Sequence, residues 1–346
     1  MTSKGPSSRR KTMRDIAHEA RVSTATVSRV LNSSAPVSAH TRKRVEQVVQ
    51  KHHFVFDGLA GGLASKRSRL IGVIIPTLVN SIYAAFAQSI QAVAQKNRYT
   101  VLLGVSEFSP VEEDRLIEQF IAHRVEALVL TGADRPPRTY EKMRGNQVPF
   151  VITWKSTGCG DLPSISFDNG LAARQALVFL LENGHKCIGL ICGRTEVNDR
   201  ARERRAAYER ILEEHALSVD PTLVQECDFD FKAGQLAMQK LLRSGRRPTA
   251  VFCANDIQAI GAMSQCRAAG IRVPADLSIV GFDDLPIAKF VDPQLTTVRV
   301  PASEMGRLAA QAVLQHLTQG KPLQPVVLTT GLVVRASAGP ATPPRN

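Results

Sequence analysis

Long apolar runs are missing from this sequence of 346 residues, and nothing in it approaches the roughly eighteen consecutive apolar residues of a membrane-spanning helix. Residues 1–11 are polar and basic, and no apolar segment follows them, so the pattern does not indicate a secretory signal. We therefore expect a cytoplasmic protein without a membrane partner.

Paired cysteines are missing as well. The cysteines are scattered, without a CxxC pair or a neighbouring histidine cluster, and they are Cys159, Cys187, Cys192, Cys227, Cys253 and Cys266. Zinc sites need tighter ligand spacing, and disulfides are rare in cytoplasmic chains. The expectation is that all six are reduced core residues and that there is no metal site.

The sequence also lacks the short motifs of common α/β enzymes. It contains neither GxxxxGK[ST] nor a GxGxxG after the first predicted strand, and neither GxSxG nor HExxH. Its eight histidines do not cluster. We therefore predict a protein that is not an enzyme and needs no cofactor.

Positive charge is abundant, but it is unevenly placed. Residues 1–69 contain fourteen Lys and Arg against four Asp and Glu, whereas the other 277 residues carry thirty basic and twenty-seven acidic groups. A solvated basic tail would be the simplest explanation, but most of these arginines lie within patterned sequence. A small basic domain of this kind indicates a polyanion as partner.

Three short helical patterns occupy residues 12–52. Thr12 and Asp15 can cap the first helix, and Ser23 can cap the second after a break at Arg21. The second helix turns Val27, Val30 and Leu31 inward and leaves outward Thr24, Ala25, Ser28 and Arg29. The third helix, about 38–52, buries Val45, Val48 and Val49 and exposes Arg42, Arg44 and Lys51. Any three-helix bundle could show this pattern, but it is typical of a helix-turn-helix domain.

The segments TMRDIAHEARVSTATVSRVLN (Thr12–Asn32) and VSAHTRKRVEQVV (Val37–Val49) closely resemble the headpiece of the lac repressor (LacI/GalR) family. The resemblance implies double-stranded operator DNA as partner. It implies that Thr24 and Ala25 choose bases, that Arg29 reaches into the groove, and that the backbone is held by Ser23, Thr26, Ser28 and Asn32. The family usually has Gly at the position of Arg21, and if Arg21 adopts a left-handed conformation there, it costs about 1 kcal/mol relative to Gly.

Residues 58–68 are either a flexible basic linker or, as the resemblance implies, a hinge helix that orders on DNA. In the family reading Leu63 wedges into the minor groove. Gly61 and Gly62 depart from the family pattern, and each should cost about 1 kcal/mol of helix propensity.

From Leu70 onward, short apolar runs alternate with helical periods, which predicts an α/β unit with parallel sheets. The predicted strands are Leu70–Pro76, Thr100–Val105, Ala127–Thr131, Phe150–Thr153, Cys187–Gly193, Ala250–Ala254 and Leu277–Phe282. Among the predicted helices are Ser81–Gln95, Gly170–Glu182, Arg202–His215 and Ile257–Ala269.

The motifs IGVIIP, FCAND, SIVGFDD and LTTVRVP match the family's core in order, and that core is similar to periplasmic sugar-binding proteins. The resemblance implies two subdomains around a cleft. The expected domains are a disordered tail (1–11), a helix-turn-helix domain (12–57), the hinge (58–68), an effector-binding and dimerisation domain (69–335) and a disordered tail (336–346). Within the effector domain we expect an N-subdomain of about 69–168 and 299–335 and a C-subdomain of about 169–298.

Ligands of parallel sheets bind at the carboxyl ends of the strands. Residues there, together with matches to family pocket positions, predict an effector site of Asn80, Tyr83, Trp154, Arg204, Asn255 and Asp283. Helix capping by Asn255, a turn at Asp283, a core position for Trp154 and a surface charge at Arg204 are the alternatives.

The family usually has Asp near the position of Trp154, and the loss of that acid while Arg204 is kept favours an anionic or less polyhydroxylated ligand, such as a sugar acid. TLVNSIYAAF somewhat resembles the gluconate-responsive branch. We predict a repressor in carbohydrate metabolism, a homodimer on a palindromic operator, released by a sugar or sugar acid such as gluconate. A corepressor-dependent repressor, an activator, and a binding or transport protein without a DNA role are the alternatives.

Overall fold

The structure, a computed structural model, describes residues 11–32, 36–55, 67–155 and 160–341. The chain forms two compact units, Met1–Ser68 and Arg69–Asn346. In these described ranges, no helix has the length and apolar character needed to cross a membrane.

The first unit is a three-helix headpiece made of α1 (Met13–Glu19), α2 (Thr24–Asn32) and α3 (Ala39–Lys51). The predicted capping box is confirmed, because Asp15 accepts from the Thr12 backbone N–H at 2.7 Å. Ser23 Oγ accepts from the Thr26 N–H at 3.1 Å and so caps α2. The three helices share a small apolar core of Ile16, Ala17, Ala20, Val27, Val30 and Val45.

The turn between α1 and α2 has a left-handed residue at the position where the family usually has Gly, since Arg21 has φ 51°. Arg44 Nη2 donates to the Arg21 carbonyl oxygen at 3.3 Å, so α3 helps to hold this turn. The prediction that Arg42 and Arg44 are exposed is wrong, because both side chains are half-buried against the bundle. Lys51 is exposed and pairs with Glu19 at 2.8 Å.

The second unit contains two six-stranded sheets with helices between the strands, and all seven predicted strands are confirmed to within one residue at each end. The first sheet has the order β11-β5-β4-β3-β1-β2 and the second β12-β10-β9-β8-β6-β7. The strands are β1 (Leu70–Ile75), β2 (Thr100–Val105), β3 (Ala127–Thr131), β4 (Phe150–Thr153), β5 (Ser164–Ser166), β6 (Ile188–Cys192), β7 (Val224–Glu226), β8 (Ala250–Cys253), β9 (Ser278–Asp283), β10 (Thr296–Arg299), β11 (Val326–Val327) and β12 (Gly331–Val333).

Helices connect these strands on both sides of each sheet. They are α4 (Ser81–Lys96), α5 (Pro110–Ala122), α6 (Pro137–Gly145), α7 (Asn169–Glu182), α8 (Asp199–Glu214), α9 (Phe231–Arg243), α10 (Asp256–Ala268) and α11 (Ala302–Gln319). All strand pairs are parallel except β10 with β12. This pattern matches the α/β architecture expected from the alternating apolar runs.

The boundary of the subdomains differs from the prediction at the carboxyl end of the chain. Helix α11 returns to the first sheet and packs on α4. However, β12 pairs antiparallel with β10, so residues 331–335 belong to the second sheet and not to the N-subdomain. The assignment fails because the three-residue strand β12 pairs with β10, which is more than thirty residues earlier in the chain. Local periodicity does not reveal such a pairing.

The prediction of a disordered tail from residue 336 is also wrong as far as residue 341. Ser337 is fully buried, and its Oγ donates to the Ile279 carbonyl at 2.6 Å and accepts from the Thr296 N–H at 2.8 Å. His185 Nε2 lies 2.9 Å from the Gly339 carbonyl oxygen. Backbone and hydroxyl hydrogen bonds anchor this segment although its composition predicts no regular structure.

Candidate DNA-binding face and ligand cavity

The outward face of α2 combines small side chains with one long cation. Thr24, Ala25 and Arg29 are exposed, while Ser28 is half-buried. Small residues let a helix approach base edges closely, and a guanidinium can donate two hydrogen bonds to guanine. The face therefore has the chemistry of a recognition helix.

Two hydroxyls stand at the start of that helix. Ser23 Oγ lies 2.9 Å from Thr26 Oγ1 and also caps the helix. Hydroxyls and N–H groups at a helix start suit phosphate oxygens. Four of the predicted positions lie outside the described residues. They are the side chain of Asn32 and, in the predicted hinge, Gly61, Gly62 and Leu63.

The structure brings all six residues of the predicted effector site around one cavity in the second unit. Asn80, Trp154, Asn255 and Asp283 come from the carboxyl ends of β1, β4, β8 and β9. Tyr83 and Arg204 reach it from α4 and α8. The enclosed space is about 20 Å³, room for one water molecule, so the side chains contact one another. A larger ligand would have to separate the subdomains or displace these side chains.

Asp283 is the polar centre of the cavity. Its Oδ2 accepts from Asn80 Nδ2 at 3.1 Å and from Asn255 Nδ2 at 2.6 Å. Both amides use their oxygens to cap α4 and α10, so capping and cavity contacts are compatible functions of one side chain. Burial raises the pKa of Asp283 to about 6, and Arg204 and the Asn80 hydrogen bond oppose that rise.

Arg204 is a buried cation whose hydrogen bonds go to neutral groups. Its Nε donates to Asn169 Oδ1 at 3.0 Å and its Nη1 to the Ala254 carbonyl at 2.7 Å. The guanidinium carbon lies 3.7 Å from the centroid of the Phe282 ring. Burial lowers the pKa of Arg204, while the nearby Asp283 charge favours the cation.

Trp154 contributes an aromatic wall and one hydrogen-bond donor. Its ring centroid lies 4.8 Å from that of Tyr83, and only 1% of the residue is exposed. Among the described residues its indole Nε1–H has no acceptor. A buried donor without a partner costs about 1–3 kcal/mol, so this group favours an incoming oxygen.

Several residues at this cavity were not predicted from the sequence. Arg200 at the start of α8 is buried, and its Nη1 donates to Asp199 Oδ1 at 2.7 Å. Asp199 Oδ2 in turn accepts from the Ala133 N–H of the first subdomain at 2.7 Å. Burial acts to raise the pKa of Asp199, but Arg200 and the Ala133 N–H outweigh it, so the pKa lies below its usual range. Helix α8 begins three residues before its predicted start, so the prediction did not include the first turn with Asp199 and Arg200.

Phe108 and Phe229 form a stacked pair at the outer side of the cavity, with centroids 5.0 Å apart and rings 19° from parallel. Both rings also line a wider groove of about 600 Å³. Phe108 follows β2, so the carboxyl-end rule applied to that strand would have found it. Phe229 follows the short strand β7, which was not predicted.

Both units match known protein families. Residues 12–56 match the family described as bacterial regulatory proteins, lacI family, and residues 177–338 match the periplasmic binding protein-like domain. The HTH-type transcriptional repressor CytR of Escherichia coli K12 is 35% identical over 331 residues, covering 94% of this chain and 96% of that protein. The chain belongs to the lacI family.

Other members of the lacI family match this chain in sequence or structure along nearly its whole length. Catabolite control protein A of Priestia megaterium is 32% identical over 308 residues, covering 89% of this chain and 93% of that protein. The crystal structure of the lac repressor dimer bound to operator and the anti-inducer ONPF is 28% identical. It has a TM-score of 0.82 and covers 96% of this chain and 100% of that one. This lacI-family chain is therefore a DNA-binding transcriptional repressor and not an enzyme, as predicted.

Proposed function

We propose that this repressor binds a near-palindromic operator as a homodimer and is released from it by a sugar or sugar acid in the cavity around Asp283. Arg29, Thr24 and Ala25 would read bases in the major groove. Ser23, Thr26, Ser28 and Asn32 would hold the DNA backbone. One headpiece reads only a half-site, which is why a two-fold dimer is proposed.

Leu63 is proposed as the residue that wedges into the minor groove at the operator centre. The proposal rests on the family resemblance of residues 58–68 alone. An apolar wedge unstacks one base step, and the bent duplex then contacts more protein surface.

The effector proposal rests on one observation, the cluster of Asp283, Asn80, Asn255 and Arg204 around a shared buried space. A carboxylate and two amides accept from and donate to vicinal hydroxyls, and a guanidinium binds hydroxyl or carboxylate oxygens. Trp154 and Tyr83 offer aromatic surface for the apolar face of a sugar ring. Because Arg204 hydrogen-bonds only neutral groups among the described residues, a sugar acid such as gluconate is the favoured effector.

The mechanism follows from linkage between two sites. Asn80 belongs to the first subdomain and Asp283 to the second, so a ligand at Asp283 changes how the subdomains contact each other. A ligand with different affinities for the two arrangements shifts their populations, and with them the fraction competent to bind DNA.

The test is a thermal-shift screen of the full-length protein against sugars, sugar acids including gluconate, nucleosides and sugar phosphates. A ligand at one hundred times its Kd stabilises by about 2.7 kcal/mol, which raises Tm by several degrees. We expect a sugar or sugar acid to do so, and Asp283→Ala and Arg204→Ala to abolish the shift. Arg174→Ala is the control, because the Arg174 side chain is 43% exposed and pairs with Glu214 outside the cavity.

Operator binding measured with the same ligand gives the sign of regulation. Weaker binding supports an inducible repressor, and tighter binding supports corepression. A ligand whose shift survives both cavity substitutions would overturn the placement of the effector site.

A further inference from the structure

The first sheet carries exposed arginines where its strands begin. Arg98, Arg69 and Arg124 precede the neighbouring strands β2, β1 and β3, and all three are exposed. The Thr100 N–H donates to the Arg69 carbonyl at 2.8 Å, and the Arg69 N–H donates to Glu126 Oε1 at 2.7 Å. These contacts place the three entry loops side by side. We call this surface, residues 67–69, 96–99, 123–126 and 144–149, the basic edge.

The basic edge has a strong excess of one charge. Its four segments contain six cations, which are Arg67, Arg69, Lys96, Arg98, Arg124 and Arg144. Their one acid is Glu126, which accepts from the Arg69 N–H and from the Tyr99 hydroxyl. Exposed cations at this density attract a polyanion.

The backbone at three of these arginines is one that glycine adopts more easily. Arg69, Arg98 and Arg124 have φ of 56°, 61° and 57°. A left-handed conformation costs a non-glycine residue about 1 kcal/mol or more. Glycine at these three positions would avoid this conformational cost. Arginine differs from glycine there by its positive charge, so the charge is the property that we connect with function.

A short segment of the chain joins the DNA-binding headpiece to the basic edge. Residues 56–66 join Val55 to Arg67, and an extended chain spans at most about 3.5 Å per residue, or roughly 40 Å here. DNA held by the headpiece therefore stays at high local concentration around this edge, whatever path the tether takes. A free acidic protein would lack this advantage.

We propose that the basic edge is a second DNA-binding surface, one that contacts phosphates of the duplex held by the headpiece without reading its sequence. Each phosphate contact releases counterions and makes binding more sensitive to salt, with a slope of about 0.9 per contact. The surface would add affinity for any duplex and leave the choice of operator to α2.

The test compares full-length wild type with Arg98→Gly/Arg124→Gly. Glycine removes each charge and suits the left-handed backbone, so the variant should fold at least as well as wild type. We measure operator and random-sequence binding from 50 to 200 mM salt. Loss of two contacts predicts that wild type loses roughly tenfold more affinity over this range than the variant, on both duplexes. Arg98→Lys/Arg124→Lys should restore the wild-type slope.

Arg246→Gly/Arg247→Gly is the matched control. These two arginines are also exposed, but they lie in the loop that enters β8 of the second sheet. Because the carboxyl ends of both sheets meet at the cavity, this loop lies at the opposite end of the unit. An unchanged salt slope for Arg98→Gly/Arg124→Gly, or an equal change in the control, would overturn the proposal. So would weaker binding at all salt concentrations with the slope unaltered.

Discussion

Asp283 combines a buried charge with a strained backbone, since its φ is 123° and only 4% of the residue is exposed. Two amides donate to one of its oxygens, but its pKa is still raised to about 6, because removal from water outweighs the favourable contacts. The folded protein therefore binds a proton at this side chain more tightly than the unfolded chain does. Ionised Asp283 therefore destabilises the folded protein above its folded pKa. This destabilisation decreases as the pH falls through that pKa and the carboxylate takes up a proton.

Replacing Asp283 with Asn should remove this pH dependence. Wild type should gain stability relative to Asp283→Asn as the pH falls from 7.5 to 5, because the Asp283 carboxylate takes up a proton only in wild type. Buried Asp256, whose pKa is raised to about 7, titrates in both proteins and does not enter the comparison. With one pKa unit equal to about 1.4 kcal/mol, the relative gain should be about 1–3 kcal/mol. Urea unfolding at both pH values measures it, with exposed Asp161→Asn as control. Parallel pH profiles for Asp283→Asn and wild type would contradict the expectation.

At the scale of elements, the last described segment of the chain stabilises the second sheet. Residues 336–341 follow β12 and contact the amino ends of β9 and β10. The Ile279 N–H donates to the Ser337 carbonyl at 2.8 Å, and the Thr296 N–H donates to Ser337 Oγ. Without the segment, these buried groups of two strands would lose their partners.

Truncation after Arg335 should therefore lower the free energy of unfolding by about 2–4 kcal/mol, since each buried polar group left unpaired costs about 1–3 kcal/mol. Truncation after Ala341 is the control, because it keeps Ser337 and its hydrogen bonds. Urea denaturation of both proteins provides the comparison. Equal stability would mean that the segment adds nothing to the sheet.

Much of the fold and part of the cavity follow from local sequence pattern. Buried parallel strands are continuous apolar runs, so their ends, and with them Asn80, Trp154, Asn255 and Asp283, could be predicted. Arg200 was missed because the local pattern placed the start of α8 three residues too late. Phe229 was missed because β7, the strand that it follows, was not predicted. The pairing of β12 depends on contacts with β10, more than thirty residues away, and such pairing leaves little trace in three residues.

At the scale of the whole ligand-binding unit, several contacts join the two subdomains across the cavity. Lys155 follows β4 and its Nζ lies 2.6 Å from Glu203 Oε1 on α8, with both side chains largely buried. The Ala133 N–H and Asp134 also contact α8, through Asp199 and Arg202. Gly132 approaches Arg200 so closely that a Cβ there would lie 2.1 Å from Nη1. Polar contacts as well as the stacked Phe108–Phe229 pair therefore hold the two subdomains together across the cavity.

Glu203→Gln should favour separation of the subdomains, because it removes the negative charge that lies 2.6 Å from the Lys155 ammonium across the cavity. Breaking such a pair costs about 2–5 kcal/mol, so amide hydrogen exchange at Ala133 should accelerate at least roughly thirtyfold. Hydrogen-exchange mass spectrometry of the peptide containing Ala133 measures this. Glu214→Gln is the control, since it breaks an exposed pair with Arg174 within one subdomain. Equal exchange in the two variants would refute the role of the Lys155–Glu203 pair.

Trp154 is the sole tryptophan of the chain, and it forms a wall of the cavity. All indole fluorescence of the native protein therefore originates at this one place. Its emission wavelength and its quenching by small solutes would report directly on hydration of the cavity. The chain thus carries an intrinsic optical probe of ligand occupancy and subdomain separation, without any added label.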